Sequence, residues 1–262
     1  LGYVPEDKNS SSVSKTLEYA YDDWAIAQAA QKLNRKDIYN EFIKRSENWR
    51  NVWDRSTGFM RPKMSDGKFR EKFDTLSTHG QGFIEGNAWN YSLYVPHNPE
   101  GLIDLMGGKA KFAAHMDGLF TMHLPDEFFA ETEDVTREGI IGGYIHGNEP
   151  ADHQYHPTPD GLGGNDDCGQ MSAWYPFSAL GFYPVAPGSD QYQLGSPVIK
   201  TAVMKLENGR TLTIAAVNQS DRNVYVRDVS LNGKKLNRRF LTHSEITSGG
   251  KIEFFMADKP AS

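Results

Sequence analysis

The hydrophobic period of this 262-residue chain changes once, and that change limits the folds open to it. In the first part, Val13, Leu17, Ala20, Trp24 and Ala27 recur at three- and four-residue spacings, which places them on one face of a helix. Ser10, Ser11 and Ser12 precede that run, so a serine N-cap is expected to take up a free N–H of the first turn. Asn34 and Asp37 punctuate. A second helix is expected to reach Trp53, with Ile38, Phe42 and Trp49 on one side. Thr57-Gly58 and Arg61-Pro62 open a loop reaching about Thr78. Phe83 to Tyr94, Pro99 to Leu105 and Lys109 to Phe120 read as further helices. Pro125 to Asn148 reads as loop, and Gln170 to Leu180 as a helix that Pro176 should kink or divide.

After Gly181 alternation replaces the helical period. Thr211 to Val217 and Val224 to Leu231 have strand composition, Asn232-Gly233 suits a type I′ hairpin turn, and Lys251 to Phe255 reads as another strand. The expected fold class is therefore mainly α, with a helical region over residues 1–181 and an antiparallel β region over 182–262.

Composition removes several function classes. The net charge is -6 and Lys and Arg are scattered, so there is no basic stripe of the kind nucleic acid requires. No apolar run approaches the ~20 residues of a membrane span. Cys168 is the one cysteine, which rules out an intramolecular disulfide and leaves the redox compartment unread. The chain opens at Leu1 without a signal-like segment, so either a leader was removed or the sequence is a piece of something longer. Aromatic residues reach 12%, enough to serve a core and also to stack on a carbohydrate.

Two acidic, glycine-flanked segments carry the chemistry. Glu85 lies in GQGFIEGNAWNYSLYVPH, and Asp166-Asp167 lies in TPDGLGGNDDCGQMSAWYPFSALGFYPV. Each sets carboxylates beside Gly, Asn, Gln, Trp and Tyr. Carboxylates exchange protons, amides hold hydroxyls, and aromatic faces cover the apolar side of a pyranose. Two carboxylates are the minimal equipment for cleaving a glycosidic bond; an inverting enzyme keeps them ~6.5–9.5 Å apart to admit a water. Asp166 and Asp167 compete for the base. The bland alternative is an Asx-type turn capping the helix near Gln170, and the two roles can coexist. Trp89 and Trp174 are candidates for sugar stacking, whereas Trp24, Trp49 and Trp53 fit core helix faces. Asn87 and Asn165 are candidate hydroxyl contacts. Tyr21, Asp22 and Asp23 divide evenly between the site and a solvated helix end. Two acids precede Cys168, whereas a cysteine nucleophile is activated by positive charge, so it reads as packing.

The segments SVSKTLEYAYDDWAIA, STGFMRP, THGQGFIEGNAWNYSLYVPH, LPDEFFAETEDVTREGIIGGYIHGNEP and PDGLGGNDDCGQMSAWYPFSALGFYPVAPGSDQYQLGSP, in that order, resemble glycoside hydrolase family 92, the calcium-dependent inverting exo-α-mannosidases of bacteria. The resemblance runs from Gly2 to the final strands. It implies the C-terminal part of a β-sandwich plus (α/α)6-toroid protein, with the sandwich and first helices lying outside this chain. It also implies that only Ala151 to Pro159 join two segments that family members separate by a longer insertion.

By that resemblance Glu85 is the general acid that protonates the leaving oxygen. Asn148 and Glu149, two hard-oxygen donors, are the calcium ligands, although without it a plain turn would be the simpler reading. His146 is a sugar contact. A zinc reading of His146, His153 and His156 lacks a third clear ligand and a cysteine partner. The expected function is release of mannose from an α-mannoside glycan, with α-1,2 linkages favoured, in the bacterial periplasm or at the cell surface. The expected partners are that oligosaccharide and the missing N-terminal β-sandwich and helices. The competing expectations are an inactive carbohydrate-binding remnant, or a fragment that needs its N-terminal half.

Overall fold

The computed structural model describes residues 1–77, 80–84, 86–121, 155–159, 161–162 and 166–260. The chain forms two compact units, residues 1–165 and 166–262. The helix Gln170–Leu180 thus belongs with the strands that follow it, whereas the periodicity alone places a boundary after residue 181.

In the first unit, α1 (Ser12–Lys32) packs against α2 (Lys36–Arg45) and against a 3-10 turn, Ser46–Val52. The reversal between the helices turns at Asn34, whose φ of 57° is left-handed. Val13, Leu17, Ala20 and Ala27 are buried as their spacing predicts, with Trp24 at the margin. Their core is completed by Trp49, Val52, Trp53, Met60, Phe83 and Ala88. The second helix stops at Arg45 because the chain tightens into the 3-10 turn, which aims Trp49 inward.

The expected serine cap of α1 is absent: Ser11 occupies the N-cap position without a side-chain hydrogen bond. The N–H groups of Val13 and Ser14 instead donate to the Gly82 carbonyl at 3.0 and 3.2 Å. An orphan N–H can donate to any well-placed oxygen, and here a distant backbone carbonyl supplies it.

Within the expected loop the chain forms a short hairpin, β1 (Trp53–Asp54) paired antiparallel with β2 (Phe59–Met60). The helix expected over 83–94 shrinks to one turn, α3 (Ala88–Tyr91), since Asn87 caps it there. α4 (Pro99–Leu105) begins on an Asn98 cap with Pro99 in its first turn, and α5 (Lys109–Thr121) follows. The Pro125 to Asn148 segment lies outside the described residues.

In the second unit, α6 (Gln170–Leu180) runs through Pro176 without division. It precedes two sheets. The smaller has the order β3 (Phe182–Tyr183), β4 (Gln191–Leu194), β9 (Phe240–Thr242). The larger has the order β5 (Thr201–Lys205), β6 (Thr211–Val217), β10 (Gly250–Ala257), β7 (Tyr225–Leu231), β8 (Lys234–Lys235). β7 and β8 meet through Asn232 and Gly233, both with positive φ (51° and 78°), as a type I′ turn requires.

Period two builds the core of this unit. Leu212, Ile214 and Ala216 of β6 face inward with Ile252, Phe254 and Met256 of β10, and Val229 of β7 joins them. α7 (His243–Thr247) adds Ile246 from behind a Thr242–Glu245 capping box. The expectation of a wholly antiparallel region needs one correction, because β6 and β10 pair in parallel. That pairing joins strands far apart in sequence, where no hairpin signal exists to announce it.

Candidate active site

The segment that holds Glu85 is clamped from both sides. On its N-terminal side Gly82 accepts the two α1 amides, and the Ile84 N–H donates to Ser14 Oγ at 3.0 Å. Phe83 is buried between them. On its C-terminal side Asn87 is wholly buried. Its Oδ1 accepts from the N–H of Trp89 and Asn90 at 3.0 and 3.4 Å, and its Nδ2 donates to the Leu76 carbonyl at 3.1 Å. The Asn87 N–H in turn donates to Asn90 Oδ1, closing a capping box. Glu85 itself lies outside the described residues. Its neighbours form a backbone frame anchored to the first turn of α1 and the start of α3, the kind of rigid support an acid of fixed aim requires.

Trp89 is half-buried. Its ring lies 4.6 Å from that of His115 in a stacked arrangement and meets the edge of Phe59 at 5.1 Å. Burial pushes the His115 pKa down, so this imidazole is neutral near pH 7.

The hairpin before this frame is held by Asp54 and Arg61, which form a 2.8 Å ion pair with side chains only 7% and 15% exposed. Asp54 Oδ1 also accepts from the Ser56 N–H and hydroxyl, at 2.9 and 2.7 Å. Burial alone would raise the Asp54 pKa, but the bonds from Arg61 and Ser56 outweigh it and hold the carboxyl below its ordinary value. Sequence reading passed over this pair; six residues read as loop separate its members.

In the second unit, Asp166 caps the start of α6. Its Oδ1 accepts from the Ser172 hydroxyl at 2.7 Å and from the Ser172 N–H at 2.9 Å, and its carbonyl accepts from the Met171 N–H at 3.1 Å. These bonds, with the Ser172 hydroxyl the largest contributor, lower the Asp166 pKa and keep it ionised. Asp167 is exposed, and its carbonyl receives the Gln170 N–H at 3.3 Å. Asp167, Cys168 and Gly169 are all left-handed, with φ of 50°, 58° and 93°. Left-handed backbone is uncommon for residues other than glycine, and two successive cases mark a turn held by its surroundings. Cys168 is exposed rather than packed, which corrects the packing expectation; the turn directs it outward. Trp174 is half-buried on α6.

Asn165, His146, Asn148, Glu149 and His153 lie outside the described residues. His156 is exposed, with its N–H donating to the Gly161 carbonyl at 2.8 Å. Among the described residues, no three or more His, Cys, Asp or Glu side chains are grouped to hold a metal. None of the described helices is long and apolar enough to cross a membrane.

The geometry is therefore two acidic segments, each braced by side-chain capping. Comparison with known proteins gives them a context. The glycosyl hydrolase family 92 catalytic domain matches residues 1–154 and 151–258. The chain belongs to that family. The two matched stretches meet at the short join that begins at Ala151.

The chain is similar to the structure of a family GH92 alpha-mannosidase from Bacteroides thetaiotaomicron, with 41% identity and a TM-score of 0.86 over 99% of this chain and 37% of that one. It matches the same mannosidase in complex with mannoimidazole at a TM-score of 0.87. A family GH92 inverting mannosidase from B. thetaiotaomicron VPI-5482 is 34% identical, with a TM-score of 0.81 over 99% of this chain and 39% of that chain. An uncharacterized secreted glycosidase of Arthroderma benhamiae is 27% identical over all of this chain and 39% of its own length. The chain thus spans about two fifths of the length of the relatives it matches.

Proposed function

We propose that this chain carries the acid and base segments of an inverting α-mannosidase that releases mannose from α-mannoside glycans. The observation that carries this reading is the family match across nearly the whole chain, including both acidic segments, with relatives named as mannosidases at 41% and 34% identity. Because the chain spans only about two fifths of those relatives, the activity is assigned to a longer protein that contains it. The (α/α)6 toroid and N-terminal β-sandwich belong to the same proposal, as do location in the periplasm or at the cell surface and a preference for α-1,2 linkages.

In this mechanism Glu85 is protonated and gives its proton to the departing glycosidic oxygen as the bond to C1 breaks. A carboxylate from the Asp166–Asp167 turn removes a proton from water as it attacks C1 from the opposite face, so the first product is β-mannose. We assign Asp167 as the base and Asp166 as a positioning residue. Asp166 Oδ1 accepts two bonds from Ser172 that lower its pKa and make it the weaker base, while Asp167 follows it on an exposed, left-handed turn. Asn87, buried with its amide engaged in the cap, is likewise a positioning residue for Glu85. His146, Asn165 and Trp174 contact the sugar.

Asn148 and Glu149 offer hard oxygens that suit calcium, and these residues would hold it. When bound, the ion supplies positive charge for the vicinal hydroxyls of the sugar.

The test is proton NMR of α-1,2-linked mannobiose with the chain and with its full-length parent, each in calcium and in EDTA. Calcium-dependent β-mannose is expected from the parent. α-Mannose as the first product would overturn the inverting mechanism, and no product from either protein would overturn the enzyme reading.

A further inference from the structure

Ser14 sits in the first turn of α1 and is only 1% exposed. Serine is a modest helix former, and inside a helix its hydroxyl ordinarily turns back to a carbonyl of the preceding turn. Thr16 behaves that way here, donating to the Ser12 carbonyl at 2.8 Å. The Ser14 hydroxyl oxygen instead accepts from the Ile84 N–H at 3.0 Å, 70 residues along the chain. The Ser14 N–H donates to the Gly82 carbonyl at 3.2 Å. One residue thus grips the chain on both sides of Phe83, with its backbone on one side and its side chain on the other.

The chain is shaped for this contact. Gly82 has a φ of 86°, and a Cβ there would come within 2.7 Å of the Pro62 ring and 3.0 Å of Val13, both buried. Only glycine lets the backbone approach α1 closely enough for its carbonyl to meet the Val13 and Ser14 amides. Arg70, paired with Glu6, donates to the Gly80 carbonyl and anchors the same stretch two residues earlier.

The Ile84 N–H is the last described tether before Glu85, and the Asn87 N–H, which donates to Asn90 Oδ1, is the first described one after it. In sequence only Glu85 and Gly86 lie between the two. Without the Ser14 oxygen the nearest upstream hydrogen bond retreats to the Gly82 carbonyl, while Phe83 still fills its buried site. Such a unit should fold yet hold residue 85 less narrowly. Proton transfer depends on that aim, since a misplacement of ~1 Å can cost about 10²-fold. We propose that Ser14 is a positioning residue for the general acid, acting through the Ile84 amide. The inference rests on the reading of Glu85 as that acid.

The test compares two substrates of the full-length parent. α-1,2-Mannobiose has a sugar hydroxyl as leaving group, which must gain a proton as its bond to C1 breaks. α-Mannosyl fluoride loses fluoride, which departs without one. Ser14→Ala should lower kcat on mannobiose by roughly tenfold to hundredfold, with KM little changed. It should leave turnover of the fluoride as it was, which also reports that the variant is folded. A merely structural role would lower both substrates alike. Ser14→Cys fills nearly the same space with a poor acceptor and should reproduce the split should Ser14→Ala not fold. Glu85→Ala, assayed beside them, should show the same split in larger measure. Equal losses on both substrates from Glu85→Ala would overturn the acid reading and this inference with it. If Glu85→Ala splits the substrates while both Ser14 variants lower them equally, or change neither, the positioning role alone is overturned.

Discussion

The Asp54–Arg61 pair allows a sharp test of what holds the first unit together. Arg61 donates to Asp54 at 2.8 Å, and its other terminal nitrogen donates to the Arg70 carbonyl and, at 3.0 Å, to that of Glu71. Removing one member of a buried pair leaves the other charged without compensation, at a cost of ~3–5 kcal/mol. Asp54→Asn keeps the shape and acceptors for Ser56, so it should fall at the low end, about 3 kcal/mol. For a unit of this size that corresponds to a melting temperature lower by ~6–12 °C. Arg61→Met should cost at least as much, because it strands a carboxylate and also frees two carbonyls.

The pH dependence has a defined sign. The Asp54 pKa is depressed on folding, so the stabilisation is present above the unfolded value near 3.8 and is lost as pH falls through the lower folded value. Urea melts of the parent should thus lose stability below about pH 4, and those of Asp54→Asn should lose less over that window. If Asp54→Asn costs under about 1 kcal/mol at pH 7, or if its acid profile parallels the parent's, the argument from burial is wrong.

Four further outcomes follow from the structure. Glu85→Gln in the full-length parent should lower mannoside hydrolysis by ~10²–10⁴ with little change in ligand binding, measured by kinetics and titration. Asp167→Asn should produce a loss of the same order, since asparagine tolerates the left-handed turn but cannot accept a proton; Asp166→Asn should lose less. Trp49→Ala and Phe254→Ala, each emptying a fully buried site in a separate unit, should cost ~3–5 kcal/mol apiece in chemical denaturation. Chelation of calcium in the parent should abolish turnover and be reversed by adding calcium back, as assayed by mannose release.

Much of the fold could be read from local pattern. α4 and β6 match their expected bounds because a Pro near the N-terminus and strict alternation are local signals. The Asn232-Gly233 turn was legible for the same reason. The cap of α1 was not, because its acceptor is the Gly82 carbonyl, nearly seventy residues away. The β1–β2 hairpin has two residues per strand, too few to establish a period. The third helix was overestimated because its start was placed at Phe83, whereas the buried Asn87 cap starts it at Ala88. At the site, the Asx turn at Asp166 was foreseen from residue type. Its partner Ser172 emerged only from geometry.

The placement of β10 has a consequence for how the second unit comes into being. β10 is the last strand in chain order, yet it lies between β6 and β7 at the centre of the larger sheet. During synthesis, β5–β6 and β7–β8 can each form as a local hairpin, but nothing joins them until residues 250–257 emerge. The nascent chain must therefore hold open a gap one strand wide, flanked by unpaired edges that invite pairing with other chains. Ile252, Phe254 and Met256 arrive together as a single wedge. Assembly of this sheet is a closing step, and a chaperone that shields strand edges would act in the interval before it.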